Sequence, residues 1–302
     1  MIGFQCSATV QPVFGRSALF PAPHQASATS GYSRPSTVLP PNLLDYFPNA
    51  TGDGLRIKWA HAVNSRHQLT SAIISYDDVM IEADVTLAEN NRYPVPIMAH
   101  PPMTMSDITL EDWLVEVVRS ETCKGIKLDF KSTRVVEPAF RVLARHSDFL
   151  KGPLVLNADI LHGCNKPSNP PVDAWTFLML CRTRFPKAIL SIGWTSEIND
   201  VSLKTGYTRE MVDQMASLVK EYSLLQPVTF PVNAALLKVS IAELQRLLFQ
   251  VPNSSLTVWS HPGDPVSVED VIAFRKSFGV NQLFYDMPED LMDVFRAQVY
   301  RR

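Results

Sequence analysis

The chain has 302 residues, 46% of them hydrophobic, and a formal net charge of −2. That is enough apolar material for one large α/β barrel or two ordinary domains. The near-neutral balance excludes a strongly basic nucleic-acid footprint, and no apolar run reaches the length of a membrane span.

Residues 1–42 read as a disordered extension. The stretch "SALFPAPHQASATSGYSRPSTVLPPN" is rich in Ser, Pro and Ala and has no periodicity, and the first acidic residue of the chain is Asp45. An acid-poor start with Arg16 and Arg34 also suits a transit peptide. A secretory signal needs a continuous apolar stretch, and "MIGFQCSATVQPVFG" supplies only a poor one. The four cysteines, Cys6, Cys123, Cys164 and Cys181, form no CxxC, which argues against a zinc ribbon. A Cys164–Cys181 bridge is compatible with the sequence but not implied by it. The sequons at Asn49 and Asn253 say little without a signal peptide.

Residues 43–302 read as a single barrel domain. From Leu55 onward, short apolar runs alternate with helical patterns. The runs are "LRIKWAH", "DVMIEADV", "GIKLDF", "GPLVLNADIL", "AILSIGW", "PVTFPVN", "SLTVWS" and "NQLFYD". Between them, "EDWLVEVVRS" places Trp113, Leu114, Val117 and Val118 on one stripe, and "TREMVDQMASLVKEY" does the same with Met211, Met215, Leu218 and Val219. "SVEDVIAFRKSF" starts on Ser267, a good N-cap. Alternating strands and helices predict parallel pairing. Eight such units in about 250 residues predict a closed (β/α)8 TIM barrel. No glycine-rich turn follows the first run, so a dinucleotide-binding open sheet has no support.

The chemistry of the predicted strand ends follows. In this fold active sites lie at the carboxyl ends of the strands. Glu82 and Asp84 sit two apart in one run, so both point to one side. His61 closes the first run, Asp129 and Lys131 the third, and Asn157 and Asp159 the fourth. Trp194, Asn233, Trp259 and Asp286 lie near the ends of the later ones. Glu82, Asp84 and Asp129 offer hard oxygens suited to Mg²⁺ or Ca²⁺. The alternative is an ion-pair network with Lys127 or Lys131. His61 and His100, ending separate apolar runs, suit acid and base roles. Lys131, two residues after Asp129, is placed to hold an anionic oxygen as charge develops. His67, His146 and His162 read as surface residues, and His261 stays an open pocket candidate.

The segments "HAVN", "MIEADV", "PIMAHPP", "KGIKLDFKS", "NADIL", "SIGW", "QPVTFPVNAAL" and "SLTVWS" with "SVEDV" together resemble the menorin family, from about Leu43 to Asp286. That family in turn resembles the phospholipase-C-like phosphodiesterase barrels, which include glycerophosphodiester phosphodiesterases and venom phospholipase D toxins. The resemblance implies metal ligands at Glu82, Asp84 and Asp129, catalytic histidines at His61 and His100, and a catalytic Lys131. Two departures stand out: His61-Ala62-Val63 and His100-Pro101 replace His-Arg-Gly and His-Asp. They bear on the substrate rather than on the metal-and-two-histidine core. The implied activity is metal-dependent hydrolysis or cyclisation of a glycerophosphodiester or phospholipid-like substrate. The alternative is a non-catalytic, menorin-like extracellular scaffold with protein partners in neurite patterning. A barrel metallohydrolase acting on C–N or C–O bonds is weaker, since it would want more metal-ligating histidines. The resemblance favours the extracellular side, the poor signal segment the cytoplasm.

Overall fold

The computed structural model describes residues 40–77, 79–89, 92–164 and 169–300. Most of the extension assigned to residues 1–42, and Cys6 within it, lies outside them. Among the described residues, no helix is long and apolar enough to cross a membrane.

In chain order the elements are α1 (Leu43–Tyr46), β1 (Trp59–Ala60), α2 (Arg66–Ile74), β2 (Met80–Leu87), β3 (Pro96–Met98), α3 (Leu110–Arg119), β4 (Gly125–Phe130), α4 (Thr133–Leu143) and β5 (Leu154–His162). There follow α5 (Ala174–Arg184), β6 (Ile189–Thr195), α6 (Asp200–Thr205), α7 (Arg209–Glu221), β7 (Val228–Asn233), α8 (Leu237–Gln250), β8 (Ser255–Trp259), α9 (Val268–Lys276), β9 (Leu283–Asp286) and α10 (Glu289–Tyr300). Eight strands run parallel in the order β1-β2-β4-β5-β6-β7-β8-β9, with helices between them. This is the predicted TIM barrel.

Two departures from the predicted strands concern its first third. Most of "LRIKWAH" is not strand. The Asp53 side chain accepts the Leu55 N–H, which turns Gly54–Arg56 into a 3₁₀ turn and leaves only Trp59–Ala60 to pair with β2. That turn lies against β9, and a Cβ on Gly54 would meet the Leu283 carbonyl oxygen at 2.0 Å. Glycine is therefore required where the chain lies against the last strand at the barrel seam. The second departure is β3, which the sequence reading did not count. It pairs antiparallel with β2 at Val85–Leu87 and carries β2 beyond the barrel proper. Glu82 and Asp84 thus lie mid-strand rather than at its end.

Helix starts follow side-chain caps. Thr109, Thr208 and Ser267 each accept the N–H three residues on, satisfying donors that the first helical turn leaves open. The apolar stripes pack on the outer face of the strands. Ile81, Ala83 and Val85 of β2 and Leu128 and Phe130 of β4 join Trp113, Phe140 and Phe177 in one core. Phe130 meets Phe140 edge-on at 5.1 Å. Leu43 and Ala50 pack with Met80, Val155, Ile189 and Phe284 at the amino ends of the strands, closing that end of the barrel. Cys164 and Cys181 are not joined by a disulfide, so that option is set aside.

Candidate active site

Because side chains alternate along a strand, the residues opposite the helix layer face the barrel interior. On β2 and β4 these are Glu82, Asp84, Lys127 and Asp129. The parallel register sets Glu82 beside Lys127 and Asp84 beside Asp129. Lys131, just past β4, donates its backbone N–H to Val85 O, which holds it in line with β2.

The structure brings Glu82, Asp84 and Asp129 together: one carboxylate oxygen from each lies within 4.8 Å of the others. Lys131 Nζ reaches Asp84 Oδ1 at 2.8 Å and Asp129 Oδ2 at 2.6 Å. Asn64 completes the hold on Asp84. Its Nδ2 donates to Asp84 Oδ2 at 2.7 Å, and its Oδ1 accepts the Asp84 N–H at 2.8 Å. Burial works to raise the Asp84 carboxyl, but Lys131 and Asn64 overcome it and hold the group low. On Glu82 the pull of His61 and Lys127 is outweighed. Burial, with Asp84 beside it, lifts it to about 7.

His61 stands next to this cluster. Its Nδ1 lies 2.8 Å from Asp286 Oδ1 and 3.4 Å from Glu82 Oε2. Asp286, on β9, takes Lys127 Nζ on its other oxygen at 2.9 Å. The Asp286 carboxylate, joined by Glu82, raises His61 to about 9 despite partial burial, so the ring is an imidazolium at neutral pH. Burial alone would raise Asp286, yet Lys127 and His61 hold it well below the usual carboxylate range. The turn after β1 supports Glu82 as well. Ala62, at φ +52°, directs its N–H to Glu82 Oε2 at 2.8 Å. A left-handed alanine costs on the order of 1 kcal/mol, and such strain concentrates at functional sites.

His100 follows β3. Its Nδ1 lies 2.7 Å from the Pro101 carbonyl oxygen. A carbonyl can only accept, so Nδ1 carries a proton and Nε2 is the ring nitrogen left to take one up or give one away. His261, beyond β8, faces His100 with ring centroids 6.0 Å apart. Asp159 is a fifth interior carboxyl, on β5 where a register shift follows it. It lies close enough to β6 that a Cβ on Gly193 would meet its Oδ1 at 2.6 Å. Burial, then the charge of Asp129, lifts it to about 7.

All six residues singled out from sequence thus lie on β1–β4 or directly after them. Sequence reasoning noted Asp286 but gave it no role, and it missed Asn64. Lys127, read as a partner for Glu82 or Asp84, pairs instead with Asp286. His146, read as surface, is half-buried against Glu111 at 2.7 Å.

The Menorin N-terminal domain profile matches residues 53–292. The chain is 42% identical over 263 residues to human Protein FAM151B, covering 85% of this chain and 93% of that protein. Among solved structures it is similar to 2,3-dimethylmalate lyase, a member of the PEP mutase/isocitrate lyase superfamily, at 12% identity and a TM-score of 0.43, covering 84% and 82% of the two chains. It is also similar to a Schiff-base-forming fructose-1,6-bisphosphate aldolase at 10% identity and a TM-score of 0.41, covering 86% and 99%. The match to the family profile spans the barrel from the turn before β1 into α10, and the chain belongs to the menorin family.

Proposed function

We propose that this chain is a divalent-metal-dependent phosphodiesterase acting on a glycerophosphodiester or phospholipid-like substrate. The observation that carries the reading is the convergence of Glu82, Asp84 and Asp129 beside an imidazolium, His61. The donor set fits Mg²⁺ or Ca²⁺, since all three ligands are hard carboxylate oxygens. With Glu82 ionised, three carboxylates against the Lys131 ammonium leave two negative charges, which a divalent ion offsets. Such an ion would polarise the phosphoryl oxygens.

The chain's own residues do the rest. His100 Nε2 takes the proton from the attacking hydroxyl, which belongs to water or to the substrate itself, as its oxygen bonds to phosphorus. The opposite P–O bond breaks, and the departing oxygen takes a proton from His61 Nε2. Asp286 holds the His61 ring through Nδ1 and keeps it charged. Lys131 places an ammonium beside the developing phosphoryl charge. A water nucleophile gives a monoester, and a substrate hydroxyl gives a cyclic phosphate.

One observation favours a second reading, a binding scaffold without turnover. Lys131 already bridges Asp84 and Asp129, as a purely structural ion-pair network would. Screening the purified chain against diesters of glycerol, choline, inositol and nucleotides, with and without Mg²⁺ or Ca²⁺, separates the two. Metal-dependent cleavage of any of them supports the enzyme. Inertness across the panel with metal bound supports the scaffold.

A further inference from the structure

We infer that His261 is a positioning residue for His100, holding the ring of the catalytic base from the far side of the barrel mouth. The inference rests on the role given above to His100.

His100 lies two residues beyond a short strand and is exposed. Its one side-chain hydrogen bond among the described residues runs to the carbonyl of its own neighbour, Pro101. That bond sets the tautomer only while the ring keeps its place, and among the described residues no second hydrogen bond holds the ring. Among the described residues, the one ring packed against it is His261, edge to face at an interplanar angle of 83°. His261 is itself held on two sides. Its ring meets Trp259 edge-on at 5.0 Å, and its backbone N–H donates to Asp264 Oδ2 at 2.9 Å. Asp264 accepts from Asn233 Nδ2 on the same oxygen at 3.0 Å, and Asn233 is fully buried at the end of β7. The loop closes tightly, with Gly263 at φ +91° and the Asp264 N–H on His261 O at 3.2 Å. A rigid chain of contacts therefore runs from β7 and β8 to the ring of His100.

The electrostatics agree with a packing role. Burial lowers the His261 imidazole below its usual range against the pull of Asp264, and the charges of His100, Lys131 and His61 push the same way as burial. A neutral ring can lie against His100 without competing with it for a proton. Among the described residues, no hydrogen bond holds either His261 ring nitrogen, so shape rather than bonding is what the ring supplies.

The test reads His100 directly, with no need of a substrate. Long-range ¹H–¹⁵N spectra of the imidazoles in the full chain report the tautomer and order of each ring. In wild type, His100 gives one set of signals with Nδ1 protonated and inter-ring NOEs to His261. His261→Ala should shift and broaden the His100 signals toward a tautomer mixture while exposed His67 on α2 stays unchanged. His261→Phe, which keeps an edge for packing and has no nitrogen, should restore them. Asp264→Ala frees the loop without touching the ring and should displace His100 in the same direction, which keeps the test open should His261→Ala fold poorly. Unchanged His100 signals in His261→Ala overturn the inference, as does a failure of Phe to restore them. On any diester that proves active, His261→Ala should lower kcat by roughly 10²-fold with KM unchanged. If no diester is turned over, the phosphodiesterase reading fails while the ring spectra still decide the positioning role.

Discussion

The interior of the barrel divides along its strands. On β1, β2, β4 and β9 it is ionic: His61, Glu82, Asp84, Lys127, Asp129, Lys131 and Asp286 meet one another there. On β5 to β8 it is mostly neutral and closed on itself. Ser191 donates to Asn157, and Thr229 meets Thr257 at 2.8 Å, with all four buried. Asp159 is the ionisable exception. Neutral pairs satisfy each other and leave nothing to titrate, so that half specifies the barrel. The ionic half holds more carboxylates than cations and shifts two of its groups into the neutral pH range or above, the pattern expected of a site rather than a scaffold.

The largest effects should separate rate from stability within the ionic half. His61→Ala and His100→Ala should each lower turnover by about 10²–10⁴-fold, His100→Ala with little change in melting temperature and His61→Ala with loss of only the stability that its pairing with Asp286 supplies. Loss of turnover together with loss of fold would mark these histidines as structural. Asp286→Asn should cost stability directly. It leaves Lys127, 5% exposed, without its anion. Breaking a buried pair from one side costs about 3–5 kcal/mol, which chemical denaturation will read. The neutral half should respond differently. Thr229→Val strands the Thr257 hydroxyl and should cost about 1–3 kcal/mol, whereas Thr229→Val with Thr257→Val should be nearly neutral. A double variant as damaging as the single would show that these hydroxyls have partners beyond each other.

Much of this architecture could be read from the chain because its signals are local. "GIKLDF" became β4 without change, since an alternating run ends there at a helix cap. The stripes around Trp113 and Met211 became α3 and α7. What escaped was non-local. The 3₁₀ turn at Gly54 depends on a capping aspartate and on close contact with a strand 229 residues away, at Leu283. Asp286 reads as an ordinary strand-end acid until the barrel brings it to His61, 225 residues earlier. Lys127 sits beside Glu82 in register, and only the curvature of the sheet reveals that its ammonium crosses to β9. Asn64 is a small loop amide with no pattern around it, and its role lies in two bonds to Asp84.

A smaller effect appears with pH. Glu82, ordinarily near 4.5, and Asp159, ordinarily near 3.8, both titrate at about 7 in the fold. The folded chain then binds more protons than the unfolded one between those values, so stability falls as pH rises through that window. His61, raised from 6.5 to about 9, adds stability that is complete below 6.5 and is lost as pH rises through 9. Asp84, held low, acts at the other end: its contribution is lost as pH falls below the ordinary carboxylate range. The melting temperature of the metal-free chain should therefore decline from about pH 5 to pH 9. Glu82→Gln should flatten the lower part of that decline, and an unchanged slope would remove Glu82 as its source.

Calorimetric titration of the metal-free chain with Ca²⁺ and with Mg²⁺ at a pH above 7 tests the central claim most directly. The ionic half should take up one divalent ion per chain, and Asp84→Asn should weaken the binding at least about tenfold. Absence of binding up to millimolar ion, or equal binding by Asp84→Asn, would contradict the metal site and leave the Lys131 bridge as a structural ion-pair network.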